Sequence, residues 1–99
     1  MSDKDSKSPS SIITQMFNND PFSRWLGIHR VEDGLGFSVL QMKVRADMLN
    51  GFGIAHGGIA YSLADSALAF ASNSHGRQAL SVETTISHIK KVMAGDVLR

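Results

Sequence analysis

Hydrophobic spacing separates a polar start from the rest of the chain. Residues 1–11 are polar and charge-balanced, and we expect them to form a flexible tail. The apolar residues that follow have helical spacing: Ile12, Ile13, Met16 and Phe17. Ser10 or Ser11 is the expected N-cap of this first helix. The sequence therefore predicts one folded domain over residues 12–99.

A short helix and two strands are predicted next. Residues 21–26 begin with a proline, which suits the first position of a second helix. Residues 28–33 and 37–44 favour two strands joined by a hairpin loop that contains glycine. The second strand alternates apolar and polar side chains with one slip, between Val39 and Met42. This slip predicts a β-bulge in that strand.

One long helix dominates the second half of the predicted fold. After a glycine-rich loop over residues 47–55, the pattern predicts a helix over residues 57–75, with Gly76 at the C′ position. Residues 79–89 favour a long strand, and residues 97–98 begin another. The order is therefore helix, strand, strand, long helix, strand and the start of a further strand.

The long predicted helix is apolar on nearly every side. Apart from Asp65, residues 59–71 are hydrophobic or small. A helix of this kind is expected to be buried, and its small residues let the backbone of a sheet approach closely. The sequence therefore predicts an α+β fold in which an antiparallel sheet curls around one central helix.

Composition narrows the classes of function. The chain has 99 residues, 42% of them hydrophobic, a net charge of +1 and no cysteine. The absence of cysteine excludes disulfides, thiolate metal sites and a cysteine nucleophile. The small net charge gives no reason to expect nucleic acid or an acidic membrane as a partner. No apolar run is long enough to span a membrane and the start does not resemble a secretory signal, so we expect a cytoplasmic protein.

Asp65 is the one formally charged residue between Met48 and Gly76. Burial of an unpaired carboxylate is costly, so this side chain is solvated, paired or retained for chemistry. Backbone N–H groups at the helix start near Gly57 attract negative charge. The two positions are about 12 Å apart along the helix, so they cannot contact one carbonyl group from the same chain. If they act together, one of them comes from a second subunit, and the active form is at least a dimer.

Each of these features also has a structural explanation. Asp65 fits the one solvated stripe of the helix, or an ion pair with an Arg or Lys of a neighbouring element. His56, beside two glycines, fits a loop or capping position. Gly57 and Gly58 also permit tight backbone packing. These residues alone leave both interpretations open.

Four motifs, in this order, carry a resemblance to a known family: Leu49-Asn50-Gly51, His56-Gly57-Gly58, Ser62-Leu63-Ala64-Asp65 and Ala94-Gly95-Asp96. Residues 17–99 resemble the hotdog-fold acyl-CoA thioesterases of the phenylacetate-degradation (PaaI) type. The resemblance implies a sheet around a central helix, in homodimers that usually form homotetramers. It also implies hydrolysis of acyl-CoA thioesters without a metal or a separate cofactor, because coenzyme A is part of the substrate.

The resemblance implies a role for individual residues. Asp65 matches the catalytic carboxylate, which acts as a general base on water or as a direct nucleophile. Gly57 matches the residue whose N–H polarises the thioester carbonyl from the facing subunit. Asn50 and His56 match loop positions that shape and orient the site.

Two departures from the family pattern affect these expectations. Many relatives have a proline after a basic residue at the end of the third strand, where this chain has Lys90 and Lys91. The pair is expected either to meet coenzyme A phosphates or to be a solvated strand end. In relatives the strand that opens at Val97 continues and two more follow, so we expect a fragment of a longer protein; completion of the fold by another chain is the alternative.

Three functions compete on this sequence. The first is a thioesterase that acts on aryl-acyl (phenylacetyl-like) or medium-chain acyl-CoA. The second is a non-catalytic acyl-CoA-binding or regulatory module on the same fold, or an inactive fragment. The third is another hotdog enzyme such as a dehydratase. The mid-helix carboxylate at Asp65 and the adjoining motifs favour hydrolysis.

Aromatic and sulfur side chains that could line an acyl pocket, or else belong to the core or an interface, are Met16, Phe17, Phe22, Trp25 and Tyr61.

Overall fold

The computed structural model describes residues 8–76 and 90–99 of the chain. In order, the elements of these ranges are α1 (Pro9–Asn18), α2 (Pro21–Trp25), β1 (His29–Gly34), β2 (Phe37–Lys43), a 3₁₀ turn (Ala46–Met48), α3 (Gly57–Asn73) and β3 (Val97–Leu98). The strand predicted over residues 79–89 lies outside the described residues. Within the described ranges, no helix has the length and hydropathy needed to cross a membrane.

Helix α1 begins inside the segment that was expected to be a flexible tail. Its N-cap is Ser8, whose Oγ accepts a hydrogen bond from the Ser11 N–H at 3.1 Å. The predicted cap at Ser10 or Ser11 is therefore wrong. The physical reason is Pro9, which has no N–H to satisfy and fits the first helical position directly after a serine cap.

Arg30 connects α1 to the first strand. Its Nη1 donates a hydrogen bond to Thr14 Oγ1 at 2.7 Å, and its Nη2 donates to the Ser10 carbonyl at 3.2 Å. The same guanidinium forms an ion pair with Asp33. One side chain of β1 therefore holds two turns of α1 against the sheet.

Strands β1 and β2 form an antiparallel hairpin with one irregularity. Arg30 pairs with Leu40 and Glu32 pairs with Val39, which leaves Val31 as the extra residue. The bulge therefore lies in β1, and its prediction in β2 is wrong.

Strand β2 alternates without interruption. Leu40 and Met42, with Val44 directly after the strand, are buried on one face, whereas Val39 belongs to the opposite face and is only half-buried. Because Val39 is an apolar residue on the outer face, the alternation of apolar and polar residues in the sequence of β2 showed an apparent slip. The register of β2 thus places three consecutive inward residues against α3.

The core lies between β2 and α3. Strand β3 extends the sheet, because Val97 and Leu98 pair antiparallel with Lys43 and Met42, so the strand order is β1-β2-β3. The buried apolar residues are Ile13, Leu26, Ile28, Leu40, Met42, Val44, Met48, Leu63 and Phe70. The predicted α+β arrangement, an antiparallel sheet packed on one long helix, is confirmed in the described part of the chain.

A buried chain of hydrogen bonds joins α2 to α3. Asp20 caps α2 by accepting the Ser23 N–H at 3.0 Å, and it also accepts the Ser23 hydroxyl at 2.6 Å. The oxygens of Ser23 and Ser66 are 2.7 Å apart, within hydrogen-bond distance. Since Ser66 belongs to α3, this chain fixes which face of the long helix is turned inward.

Helix α3 ends two residues before the predicted end, and its C-terminus is hydrogen-bonded to the turn between β1 and β2. The Ser74 hydroxyl donates to the Ala71 carbonyl at 2.6 Å and accepts the Gly36 N–H at 2.7 Å. Serine hydroxyls that bond to the preceding turn compete with helix continuation, which explains the end at Asn73. Gly76 has φ +85° but lies one residue beyond the observed C′ position, His75, so its prediction at C′ is wrong by one residue.

Replacement of Phe70 by alanine tests the core beneath α3. Phe70 is 1% exposed, and its ring meets Phe17 edge to face with centroids 6.2 Å apart. The lost ring and the resulting cavity should lower the free energy of unfolding by about 3–5 kcal/mol. Phe52→Ala is the matched control, because Phe52 is 91% exposed; its effect should stay below about 0.5 kcal/mol. Urea unfolding followed by circular dichroism measures both, and equal losses would contradict the assigned core.

Candidate active site

His56 determines where α3 begins. Its backbone is extended (φ −59°, ψ 137°), its Nδ1 accepts the Gly58 N–H at 3.1 Å, and its carbonyl accepts the Ile59 N–H at 2.9 Å. His56 thus occupies the capping position that the sequence left open. Among the described residues, no acceptor takes the N–H of Gly57, the first residue of the helix. The start of α3 therefore offers the Gly57 N–H, at the positive end of the helix dipole, to an acceptor from outside the helix.

A cavity of about 410 Å³ lies at this helix start. Its lining combines five of the six candidate residues with apolar side chains: Asn50, Ile54, Ala55, His56, Gly57, Ala60, Lys90, Lys91, Val92 and Leu98. A polar, partly cationic set of groups therefore shares one cavity with an apolar wall. This is the usual composition of a small-molecule site.

Asn50 organises the loop that forms one wall of the cavity. Its Oδ1 accepts the Phe52 N–H at 2.8 Å and the Ile54 N–H at 3.4 Å. Its backbone N–H donates to the Ile54 carbonyl at 2.7 Å, and the Gly53 N–H donates to the Asn50 carbonyl at 3.1 Å. The Asn50 side chain therefore acts mainly as the centre of a tight turn.

A backbone hydrogen bond just after Lys90 and Lys91 anchors the lysine pair beside the cavity. The Ala55 N–H donates to the Val92 carbonyl at 2.6 Å, which joins the residues after the lysine pair to the loop before α3. Both lysines are exposed. The pair therefore places positive charge at the exposed side of the cavity.

Asp65 lies apart from the other five candidates. It is exposed on α3, more than two turns beyond Gly57, and is not among the residues that line the cavity. Its neighbour Ser66 is buried and bonded toward α2, which turns the preceding residue of the helix outward. Within one chain, the glycine N–H and the carboxylate are therefore separated, as the helix geometry predicts.

A second cavity, of about 520 Å³, adjoins the first and shares Ala60 and Leu98 with it. Its other lining residues are Ser38, Val39, Leu40, Leu63, Ala64, Ala67 and Arg99. Sequence reasoning did not identify the residues of this second cavity. The one signal for any of them was the high content of small residues in the long helix. Neither cavity is lined by the five aromatic and sulfur side chains suggested for an acyl pocket. Of these, Phe22 and Trp25 stack on each other at the surface.

This chain is similar to known proteins in both sequence and fold. The family model of the Thioesterase superfamily matches residues 52–99. The structure of the Escherichia coli PaaI protein from the phenylacetic acid degradation operon has a TM-score of 0.87 at 39% identity, over 90% of this chain and 64% of that one. A mutant structure of the phenylacetic acid degradation protein PaaI from Thermus thermophilus has a TM-score of 0.75 at 40% identity, over 79% of this chain and 67% of that one. The chain belongs to the thioesterase superfamily.

Within the thioesterase superfamily the chain is of the PaaI type and has the hotdog fold, as its four motifs indicate. The acyl-coenzyme A thioesterase PaaI of E. coli K12 is 43% identical over 83 residues, which are 84% of this chain and 59% of the relative. A putative esterase of Archaeoglobus fulgidus is 37% identical over 95 residues, which are 96% of this chain and 62% of the relative. The chain thus spans about three fifths of the length of these two curated relatives.

Substitution of Asn50 tests its role in forming the loop. In Asn50→Ala the amide of Phe52 loses its acceptor, and its hydrogen exchange should become about fivefold faster, which corresponds to roughly 1 kcal/mol. Asn50→Asp keeps an acceptor oxygen at the same place and should retain the slow exchange. Amide exchange followed by NMR measures both variants. Equal exchange in the alanine variant and the parent chain would show that the turn does not depend on Asn50.

Proposed function

We propose that this thioesterase-superfamily chain, paired with a second copy, hydrolyses acyl-CoA thioesters to free acids and coenzyme A. The observation that carries the proposal is that the two candidate groups of α3, the Gly57 N–H and the Asp65 carboxylate, lie in separate places. The Gly57 N–H opens into a cavity with polar groups, whereas Asp65 lies outside it on the same helix. The acyl-coenzyme A thioesterase activity named for the E. coli relative supports the substrate class.

The first chemical requirement is stabilisation of negative charge on the thioester oxygen. Attack at the carbonyl carbon moves an electron pair onto this oxygen. The Gly57 N–H, at the positive end of the helix dipole, is a donor already in place for that charge. Removal of such a donor typically slows a reaction about 10²–10³-fold.

The second requirement is a group that supplies or activates the nucleophile, and we assign it to Asp65 of the second copy. As a general base, the carboxylate takes a proton from the water that attacks the carbonyl carbon. As a nucleophile, it attacks the carbon itself, and water then hydrolyses the mixed anhydride. In both routes the carbon–sulfur bond breaks, and coenzyme A leaves as a thiolate that takes up a proton.

The lining of the cavity suggests how the substrate is held. Lys90 and Lys91 supply positive charge for the phosphates of coenzyme A, and the side chains of the apolar wall suit an acyl group. The acyl group we propose is an aryl-acyl group such as phenylacetyl, or a medium-length chain. The names of the E. coli and T. thermophilus relatives, which refer to phenylacetic acid degradation, favour the aryl group. The assembly we propose is a homodimer or a homotetramer.

Asp65→Asn tests the carboxylate. The amide cannot take a proton or form the anhydride, so the kcat for thiol release should fall about 10²–10⁴-fold. Asp47→Asn is the control, because Asp47 is a largely exposed aspartate of the 3₁₀ turn, and it should stay within about twofold. Release of free thiol from phenylacetyl-CoA measures both. Undiminished turnover in Asp65→Asn would exclude the assigned role.

Mixed dimers test whether the site is shared between two copies. Gly57→Pro removes the N–H at the first helical position, where proline is well tolerated, and should inactivate the site without disturbing the helix. Equal amounts of Gly57→Pro and Asp65→Asn chains, unfolded and refolded together, should recover about one quarter of the parent activity, because half of the dimers then hold one intact site. Each variant refolded alone is the control. If one chain supplied both groups, no activity would return.

A further inference from the structure

We infer that His56 is a positioning residue of this site: its neutral imidazole, held as the Nε2–H tautomer, caps Gly58 through Nδ1, so that the Gly57 N–H is the donor of the helix start with no acceptor among the described residues. The inference deepens the proposed function, on which its catalytic consequence rests. The cap itself follows from the geometry of the helix start alone.

The tautomer follows from the direction of one hydrogen bond. A backbone N–H can only donate, so the Nδ1 atom 3.1 Å from the Gly58 nitrogen must carry a lone pair. A neutral imidazole with an unprotonated Nδ1 has its proton on Nε2. Protonation of the ring would convert Nδ1 into a donor and abolish the cap.

The absence of a side chain at Gly58 leaves room for the imidazole that lies over the helix start. A Cβ atom at position 58 would be 3.3 Å from His56 Nδ1 and 3.8 Å from Cε1. A side chain there would crowd the ring that forms the cap. The two glycines therefore have different roles, since Gly58 makes room for the imidazole and Gly57 provides the N–H.

The backbone of His56 is fixed on both sides, so the ring has a rigid base. Its N–H donates to the Met48 carbonyl at 2.8 Å, and its carbonyl accepts the Ile59 N–H at 2.9 Å. The first three backbone N–H groups of α3 thus differ in their hydrogen-bond acceptors. Gly58 is bonded to the ring and Ile59 to the carbonyl of His56, so that Gly57 alone of the three stays available among the described residues.

This arrangement limits the chemistry that His56 can perform. Its Nδ1 lone pair is engaged by Gly58, and its Nε2 carries a proton and has no basic lone pair. The capped ring therefore cannot accept a proton from water or from substrate. The base must be another group, which agrees with the assignment of Asp65 and disfavours any reaction that needs His56 as a proton acceptor.

The tautomer is tested by ¹H–¹⁵N correlation spectra of the imidazole rings of the parent chain at neutral pH. The chain has four histidines, and the His56 signals are those missing from the spectrum of His56→Asn. An unprotonated Nδ1 together with a protonated Nε2 supports the inference. A protonated Nδ1, in either the other tautomer or the charged ring, overturns it. This measurement does not depend on catalytic activity.

Three substitutions test the positioning role. Asparagine is a favoured N-cap whose short side chain reaches the same amides, whereas alanine has no acceptor. Glutamine is the matched control, because it carries the same amide on a side chain that is one methylene longer. His56→Asn should keep kcat within about tenfold of the parent chain, and His56→Gln and His56→Ala should lie about 10–100-fold below His56→Asn with little change in KM, since a misplaced donor affects the transition state.

The outcomes are distinguishable from one another and from failure of the proposed function. Circular dichroism first confirms that each variant is folded. A kcat for His56→Asn as low as that for His56→Ala overturns the inference, because the imidazole itself would then take part in the reaction. Equal kcat values in all four proteins also overturn it, because the cap would then only stabilise the helix. If the parent chain releases no thiol from any acyl-CoA, the proposed function fails, and the NMR spectrum still decides the cap.

Discussion

The rise of an α-helix is fixed at about 1.5 Å per residue, and this constraint determines how the site is built. Gly57 and Asp65 belong to one continuous helix, so their separation cannot adjust to a substrate. The other elements hold this helix in position. Strand β2 packs along it, Ser23 of α2 bonds to it at Ser66, and the hairpin turn bonds to its end at Ser74.

The helix is held by apolar packing along its length and by polar bonds at Ser66, near its middle, and at Ser74, just beyond its end. Leu63 and Phe70 are buried in the core, and Ser66, on the same inner side, is bonded to α2. Because successive residues of a helix point about 100° apart, burial of Ser66 directs Asp65 outward. The same packing that stabilises the domain therefore sets the direction of the candidate carboxylate.

The sequence was most informative where one local signal had no competitor. The hairpin and the start of α3 at Gly57 follow from glycine and alternation, and both are confirmed. The N-cap at Ser8, the bulge at Val31 and the end of α3 at Asn73 were missed. The cap was missed because several nearby serines can each cap one helix. The bulge was missed because the pattern of one strand does not show which of two paired strands carries the extra residue. The end of α3 was missed because it depends on a hydrogen bond of the Ser74 hydroxyl. The candidate site was found by motif resemblance, but its assembly from separate segments needed the tertiary structure.

The hydrogen bond between Ala55 and Val92 also has a consequence for the order of folding. It joins segments that are far apart in the sequence, whereas the His56 cap and the Asn50 turn involve only near neighbours. Contacts between distant segments require closure of a long loop and form late, while local turns and caps form with their helix. We therefore expect the helix start with its Gly57 N–H to become ordered before the segment of Lys90 and Lys91 docks on it, so that the cavity is completed only after its amide donor is in place.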